Sequence, residues 1–430
     1  MGENASRVLV VSPDYRLSVR AVLHGLMSRG LLRRFVTPYV YVPGGWEDRV
    51  LKMLPRIGEL MVRRRLAEEL RPLTTCHPSR EWLRIIGSRL GLPDVWQDRL
   101  WESGELWFSE KVAAEHVQDG QLVYGFEHAS LNVFLEQKRR RGHCMLGQLI
   151  AHHRASYRIL QEEIERFPEA ATEYDRRALR TASRVNARKD EEYETADLIF
   201  VNSGYVLRTF LEAGVPRRKL VVIPTAADGI VRAGPAEPRG ETIFLCVANL
   251  SLRKGTLYLL DAWRKLKVRS GARLVLIGKN TLPSGALGDL PSDVTVLPSM
   301  PRQSVFEWYQ KASVFVLPTL CEGFAFVIHE ALAFGLPVIT TENSGCGRFV
   351  EDGKNGWIVP IRDSEALARK MERFIDHPSD IAEMGGNSIV KSKQWMLNDY
   401  GREHSNIVLQ FMQDPENFSA ERVPQPCMLS

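Results

Sequence analysis

No run of 18 apolar residues occurs in the 430-residue sequence, so no stretch is long and apolar enough to span a bilayer as a helix. The six cysteines (Cys76, Cys144, Cys246, Cys321, Cys346 and Cys427) include no Cys-x-x-Cys pair and no zinc-like His spacing. A disulfide scaffold and a zinc ribbon are therefore excluded, and reduced, mostly buried thiols of a cytoplasmic protein are expected. Asp-x-Asp is absent and no His/carboxylate cluster stands out along the chain, so no metal is expected. No fixed-period repeat and no low-complexity tract is found. The start, Met1-Gly2-Glu3-Asn4 and a short apolar stretch ended by Pro13 and Asp14, does not read as a signal peptide. The sequons at Asn4 and Asn417 and the Gly2/Ser6 myristoylation-like match are read as chance.

What is present is an ordinary globular composition, 44% hydrophobic and 25% charged, long enough for two or three domains. The net charge of +5 is unevenly placed. Residues 1–235 hold 36 Lys/Arg against 30 Asp/Glu, and the remainder 21 against 22. Residues 1–65 hold 12 cations and 5 acids, with clusters at Arg33-Arg34 and Arg63-Arg64-Arg65. A phosphorylated substrate or an anionic membrane surface on the inner face suits such a distribution. Nucleic acid does not, because no RNP, zinc-finger or helix-turn-helix pattern accompanies the charge. The competing reading of the basic segment, including the apolar and basic stretch Val50–Arg65 interrupted by Pro55, is solvated helix faces.

The C-terminal half alternates. Apolar, β-branched runs at Thr242–Ala248, Arg273–Gly278, Val294–Leu297, Ser313–Pro318, Pro337–Thr340 and Trp357–Val359 are separated by helical-period stretches. That pattern predicts a parallel sheet covered on both faces. The N-terminal half predicts strands at Arg7–Ser12, Gln121–Tyr124, His143–Gln148, Leu198–Val201 and Leu220–Pro224, with a helix-rich insertion over about 45–116. The Gly- and Pro-rich segment Gly229–Gly240 predicts a linker. The fold class expected is α/β: two doubly wound Rossmann-like domains facing each other across a cleft. Their bounds are about 1–235 and 236–398, followed by a helix and tail over 399–430 that cross back to the first domain.

Chemistry concentrates in two segments. Leu317–Pro337 runs from a strand end through a Gly-containing loop into a helix opening near Phe326. Glu322 falls in that loop and Glu330 two turns into the helix. The N–H groups of Phe324, Ala325, Phe326 and Val327 lie at a helix N-terminus, an anion site. Ala248–Gly255 likewise leaves a strand and enters a helix, placing Arg253 and Lys254 at a strand's carboxyl end. Two cations beside a helix N-terminus suit a diphosphate, and carboxylates suit sugar hydroxyls.

Glu322-x7-Glu330 with Gly323, followed by Ala331 and Gly335-Leu336-Pro337-Val338, resembles the donor site of the GT-B glycosyltransferases of family 4 (glycosyl transferases group 1). Lys254-Gly255, Leu274–Gly278, Tyr309-x-x-Ala312, Gly345, Glu351-Asp352-Gly353, Gly356 and Val359-Pro360 fit the same pattern. The resemblance spans about 240–400 and extends weakly through 195–228. It implies a retaining, metal-independent hexosyltransferase without a cofactor. Its donor would be a UDP- or GDP-linked sugar and its acceptor a saccharide or a lipid-linked saccharide, as in cell-envelope or exopolysaccharide synthesis. It implies that Glu330 binds the ribose, that Glu322 binds the donor sugar with the Phe324 and Ala325 N–H groups, and that Lys254 with Arg253 binds the diphosphate. The main chain near Met300 would meet the base. Asn249 stands where the family usually has Arg, and Ala325 replaces a usual Gly. An N-domain histidine usually follows a strand; His152 is the candidate, with His128 as runner-up. The alternative is a nucleotide-sugar-binding scaffold of the same fold that has lost catalysis.

Overall fold

The computed structural model describes residues 8–43, 64–228, 240–267 and 270–423. Residues 50–63 of the basic stretch and 229–239 of the expected linker lie outside them.

The N-terminal domain contains β1 (Val8–Val11), α1 (Leu17–Ser28), β2 (Leu32–Thr37), β3 (Thr74–Cys76), α2 (Ser79–Arg89), α3 (Asp94–His116) and β4 (Leu122–Phe126). It continues through α4 (Leu131–Arg139), β5 (His143–Gln148), α5 (His153–Arg166), α6 (Glu173–Thr195), β6 (Leu198–Val201), α7 (Gly204–Glu212) and β7 (Leu220–Val222). Its seven strands are parallel in the order β3-β2-β1-β4-β5-β6-β7. Runs such as Val8-Leu9-Val10-Val11 are wholly buried, as a sheet covered on both faces requires.

The second sheet is β10-β9-β8-β11-β12-β13. It is built from β8 (Thr242–Val247), β9 (Ala272–Ile277), β10 (Val294–Leu297), β11 (Val314–Leu317), β12 (Val338–Thr341) and β13 (Gly356–Val359). Its helices are α8 (Thr256–Lys265), α9 (Arg302–Lys311), α10 (Phe326–Ala333), α11 (Ser364–Asp376) and α12 (Ser379–Lys393). Strand order reverses between β1 and β4 in one sheet and between β8 and β11 in the other. These switch points leave a crevice outside the carboxyl ends of the strands, where ligands of doubly wound sheets bind. The architecture is GT-B.

Two strands are absent from the sequence reading. β2 carries Arg33-Arg34 in mid-strand, and β3 is only three residues of Thr-Thr-Cys at the sheet edge. The stretch expected as a helical insertion therefore also supplies an edge strand.

The last helix, α13 (Leu397–Gln413), returns to the N-terminal domain and lies against α1. His404 on it is buried and meets Phe200 at 4.9 Å between ring centroids. The helices approach at Gly25 and Gly401, where a Cβ on Gly25 would fall 2.0 Å from the Gly401 carbonyl oxygen. No side chain fits there. Gly25→Val is expected to lower the unfolding free energy by about 1–3 kcal/mol through overpacking. Urea denaturation checks this, and an unchanged midpoint would contradict the contact.

Candidate functional site

The loops after β8 and β11 flank the switch point of the second sheet and are stitched together. The Arg253 carbonyl accepts from the Leu320 N–H at 2.9 Å and the Thr319 hydroxyl at 3.3 Å. This stitching brings side chains 68 residues apart into contact: Lys254 Nζ bonds Glu322 Oε2. Arg253 Nη1 reaches the same oxygen at 3.1 Å and the Cys321 carbonyl at 2.7 Å. Charge-assisted bonds of this kind hold both partners in place. Among the described residues nothing donates to Glu322 Oε1, so one carboxylate oxygen stays open to a hydroxyl.

The backbone at the start of α10 is partly spent. Ala325 N–H donates to the Ser344 carbonyl at 3.1 Å, and Phe326 N–H to the Phe324 carbonyl at 3.1 Å. Of the expected Phe324/Ala325 pair, only Phe324 N–H lacks a partner among the described residues; those of Gly323 and Val327 also lack one. The N–H groups left open at the start of α10, among the described residues, are thus those of Gly323, Phe324 and Val327.

Glu330 is also engaged. Its Oε1 accepts from Arg302 Nη2 at 2.8 Å and Nε at 3.1 Å, and its Oε2 from the Tyr309 hydroxyl at 3.2 Å. Lone pairs remain on both oxygens, so a ribose would share the carboxylate with Arg302. Arg302 escaped the sequence reading because its partner lies 28 residues away. Met300, two residues before it, is half-buried against the core. Asn249 is exposed, and its side chain makes no hydrogen bond among the described residues.

Across the cleft, loops after β1, β4 and β5 enclose a cavity of about 320 Å³ at the N-terminal switch point. Asp14, Arg16, Glu81, Trp101, Glu127 and His128 line it, with Leu149 and Ile150 at its rim. Gly323 closes directly on that rim, since a Cβ there would fall 1.8 Å from the Leu149 carbonyl oxygen and 2.9 Å from Ile150 Cα. Ser203 Oγ donates to the Gly323 carbonyl at 2.8 Å. The Glu322 loop is therefore packed on the loop after β5, whose Leu149 and Ile150 line the cavity.

The structure places the two candidate histidines differently. His152 is buried at the N-terminus of α5, where its Nδ1 accepts from Arg154 N–H at 3.2 Å. Its ring packs on His153 and Phe210, and burial pushes its pKa down to about 4. It caps a helix from inside the core and does not line the cavity. His128 does. Its backbone φ is +79°, a left-handed conformation uncommon outside glycine. Glu192 pins this turn by accepting the N–H groups of His128, Ser130 and Leu131 at 3.0–3.1 Å. The His128 ring meets Trp101 edge-on at 5.1 Å, and burial lowers its pKa to about 4, so it is neutral near pH 7. Glu127 beside it is pushed up by burial, yet Lys189 and His128 bring it below the ordinary carboxylate range.

Folding also assembles two His/carboxylate clusters that the sequence does not show: His77 with Glu115 and His116, and His152 with His153 and Asp190. In the first, His77 Nε2 and His116 Nε2 are 3.0 Å apart and share a hydrogen bond. In the second, Asp190 is bonded by His153 at 2.7 Å and Arg154 at 3.2 Å. Neither includes a residue of the Lys254–Glu322 site.

Residues 241–377 match the family model described as Glycosyl transferases group 1. The chain is 32% identical over 149 residues to the amylovoran biosynthesis glycosyltransferase AmsK of Erwinia amylovora, covering 32% of this chain and 37% of that protein. It is 30% identical over 203 residues to the putative colanic acid biosynthesis glycosyltransferase WcaL of Escherichia coli, covering 44% and 50%. The chain thus matches half or less of the length of these curated relatives. Among solved structures it superposes on sucrose-phosphate synthase from Thermosynechococcus elongatus with a TM-score of 0.61 at 16% identity, covering 95% of this chain and 99% of that one. It superposes on Anabaena Alr3699/HepE, solved in complex with UDP-glucose, with a TM-score of 0.57 at 15% identity, covering 94% and 99%.

Proposed function

We propose that this chain, a GT-B protein whose residues 241–377 resemble glycosyl transferases group 1, moves a hexosyl unit from a nucleoside-diphosphate sugar to a saccharide or lipid-linked saccharide in exopolysaccharide assembly. The observation carrying this reading is the Lys254–Glu322 pair at the second switch point, beside unbonded N–H groups and facing the cavity across Gly323. The biosynthetic roles printed for the AmsK and WcaL relatives support the process, and the UDP-glucose complex of the HepE neighbour supports the donor class.

In this reading the bond between the sugar's anomeric carbon and the diphosphate breaks, and negative charge grows on the leaving oxygens. Lys254, Arg253 and the N–H groups of Gly323, Phe324 and Val327 stabilise that charge without reorganising. Glu322 Oε1 accepts from a donor-sugar hydroxyl and holds the ring. Glu330, shared with Arg302, accepts from the ribose. The acceptor hydroxyl arrives from the cavity side, attacks with retention, and yields its proton to the departing phosphate oxygen. His128, neutral at the cavity wall, positions acceptor or donor sugar, the role the resemblance implies for an N-domain histidine. Lys254, Arg253 and the N–H groups stand where a metal would otherwise meet the diphosphate, and in this reading transfer is metal-independent. A scaffold without catalysis would bind donor but not hydrolyse it, and a screen of UDP-, GDP- and ADP-sugars separates the two readings.

Glu322→Ala and Lys254→Ala are each expected to reduce turnover about 10²–10³-fold with the fold retained, as loss of a preorganised charge partner does. Wild-type rates in either purified variant contradict the assignment. Transfer is expected to continue undiminished in excess EDTA; activity lost to EDTA and restored by Mg²⁺ or Mn²⁺ contradicts metal independence. This reading sets the N-terminal domain beside an anionic bilayer; its basic excess and the exposed Leu83, Ile86, Leu90 and Trp96 of the α2–α3 hairpin support it. Co-sedimentation with anionic vesicles that fades with salt is expected, and indifference to lipid charge would leave a soluble acceptor.

A further inference from the structure

We propose that His77, Glu115 and His116 form a binding site for a divalent transition metal of the zinc class, which ties the end of α3 to the edge strand β3. The site shares no residue with the Lys254–Glu322 pair and supplies nothing to transfer. Its two imidazoles are 39 residues apart in sequence, yet their Nε2 atoms face each other at 3.0 Å. With a Glu115 carboxylate oxygen, the three ligand atoms lie within 4.8 Å of one another. Zinc sits about 2.0–2.2 Å from imidazole nitrogen and carboxylate oxygen, so tetrahedral ligation spaces two ligand atoms about 3.4 Å apart. The spacings here bracket that value: 3.0 Å between the nitrogens and 3.8 Å from His77 Nε2 to Glu115 Oε2. Shifts of a few tenths of an ångström complete the set.

The ligand atoms are available and held. Among the described residues each Nε2 has only the other as hydrogen-bond partner. One ring keeps its proton on Nε2 to make that bond, and moving that proton to Nδ1 turns both lone pairs toward an ion. His77 is fixed from behind: its N–H donates to the Thr37 carbonyl at 3.1 Å, and its ring packs against Trp107 and Phe108. Phe108 and Val112, both buried, seat α3 on the core. Glu115 Oε1 accepts from Lys111 at 2.5 Å, which orients the carboxylate as outer partners of metal ligands do and leaves Oε2 to the ion. The His77 side chain is 11% exposed and that of Glu115 46%, so an ion enters past the glutamate and keeps a fourth position for water.

The second cluster offers no such point. Both oxygens of Asp190 are engaged, one by His153 at 2.7 Å and the other by the Arg154 guanidinium at 3.2 Å. What the first site would tie together is otherwise lightly held. β3 is a three-residue strand at the sheet edge, and the α2–α3 hairpin that follows it carries exposed apolar side chains. An ion joining His77 to the last turn of α3 closes both ends of that hairpin onto the sheet edge. Because the three ligands meet only in the folded chain, binding stabilises the fold by mass action.

The test is titration of the full chain, stripped with EDTA and dialysed, with Zn²⁺ by calorimetry and with Co²⁺ by visible absorption. One equivalent of Zn²⁺ is expected to bind, and Co²⁺ is expected to show the absorption of nitrogen and oxygen ligation without a thiolate charge-transfer band. His77→Ala and His116→Gln are each expected to weaken Zn²⁺ binding at least tenfold, and Glu115→Gln at least threefold. Asp190→Asn, in the other cluster, is expected to leave it unchanged. Zn²⁺ is expected to raise the thermal midpoint of wild type and of Asp190→Asn but not that of His116→Gln. Glu115 is exposed, so Glu115→Gln keeps the test open if a histidine variant fails to fold. No Zn²⁺ binding, a thiolate band with Co²⁺, unchanged affinity in Glu115→Gln and His116→Gln, or an equal loss in Asp190→Asn would each overturn the proposal.

Discussion

The bond from Lys254 to Glu322 is the constraint on which the rest of the site depends. It joins the loops at the carboxyl ends of two adjacent parallel strands, β8 and β11, at the point where strand order reverses. Neither side chain is fully exposed, and each restrains the rotamer of the other, so the ammonium is held at the switch point, where the proposed transfer needs it. Arg253 bonds the same oxygen from the open side. One loop thus delivers two cations, the other a carboxylate with one oxygen to spare, and the neighbouring helix its N–H groups.

The same loop couples the domains. Gly323 packs without room for a side chain under Leu149 and Ile150, Ser203 bonds its carbonyl, and Arg208 reaches Asn343 at 3.1 Å. A second contact lies away from the cleft, where buried Glu163 on α5 accepts from Tyr258 at 3.0 Å and from Arg362 Nε at 2.6 Å. Removing one partner from such a buried set leaves an uncompensated charge, so the arrangement favours one mutual placement of the domains. α13 adds a third tie by crossing back onto α1 and the N-terminal sheet.

Legibility in the sequence followed the physics of each element. The strands of the second sheet were visible to within a residue because runs such as Leu274–Ile277 and Val314–Leu317 are apolar throughout, as burial on both faces demands. β2 and β3 were not, since Arg33-Arg34 and a three-residue edge carry no such run. Glu322, Lys254 and Glu330 stood out as candidates because strand ends and helix starts are local signals, and the structure brings Lys254 and Glu322 together. Arg302, the Ser344 bond to Ala325 and the two His/carboxylate clusters depend on partners roughly 20 to 40 residues away and leave no local trace. The choice between His128 and His152 turned on the same limit. Both follow strands, and only the folded chain shows that His128, its turn pinned by Glu192 over 60 residues on, lines the cavity while His152 caps α5 from the core.

The central claim is that Lys254, held by Glu322, recognises the diphosphate of a nucleotide. Calorimetric titration of wild type and Lys254→Met with nucleoside mono- and diphosphates in EDTA tests it most directly. The account predicts that wild type binds UDP or GDP at least tenfold more tightly than the corresponding monophosphate, and that Lys254→Met, folded to the same degree, loses most of that difference. Equal affinity of wild type for mono- and diphosphate, or an undiminished preference in Lys254→Met, would contradict it.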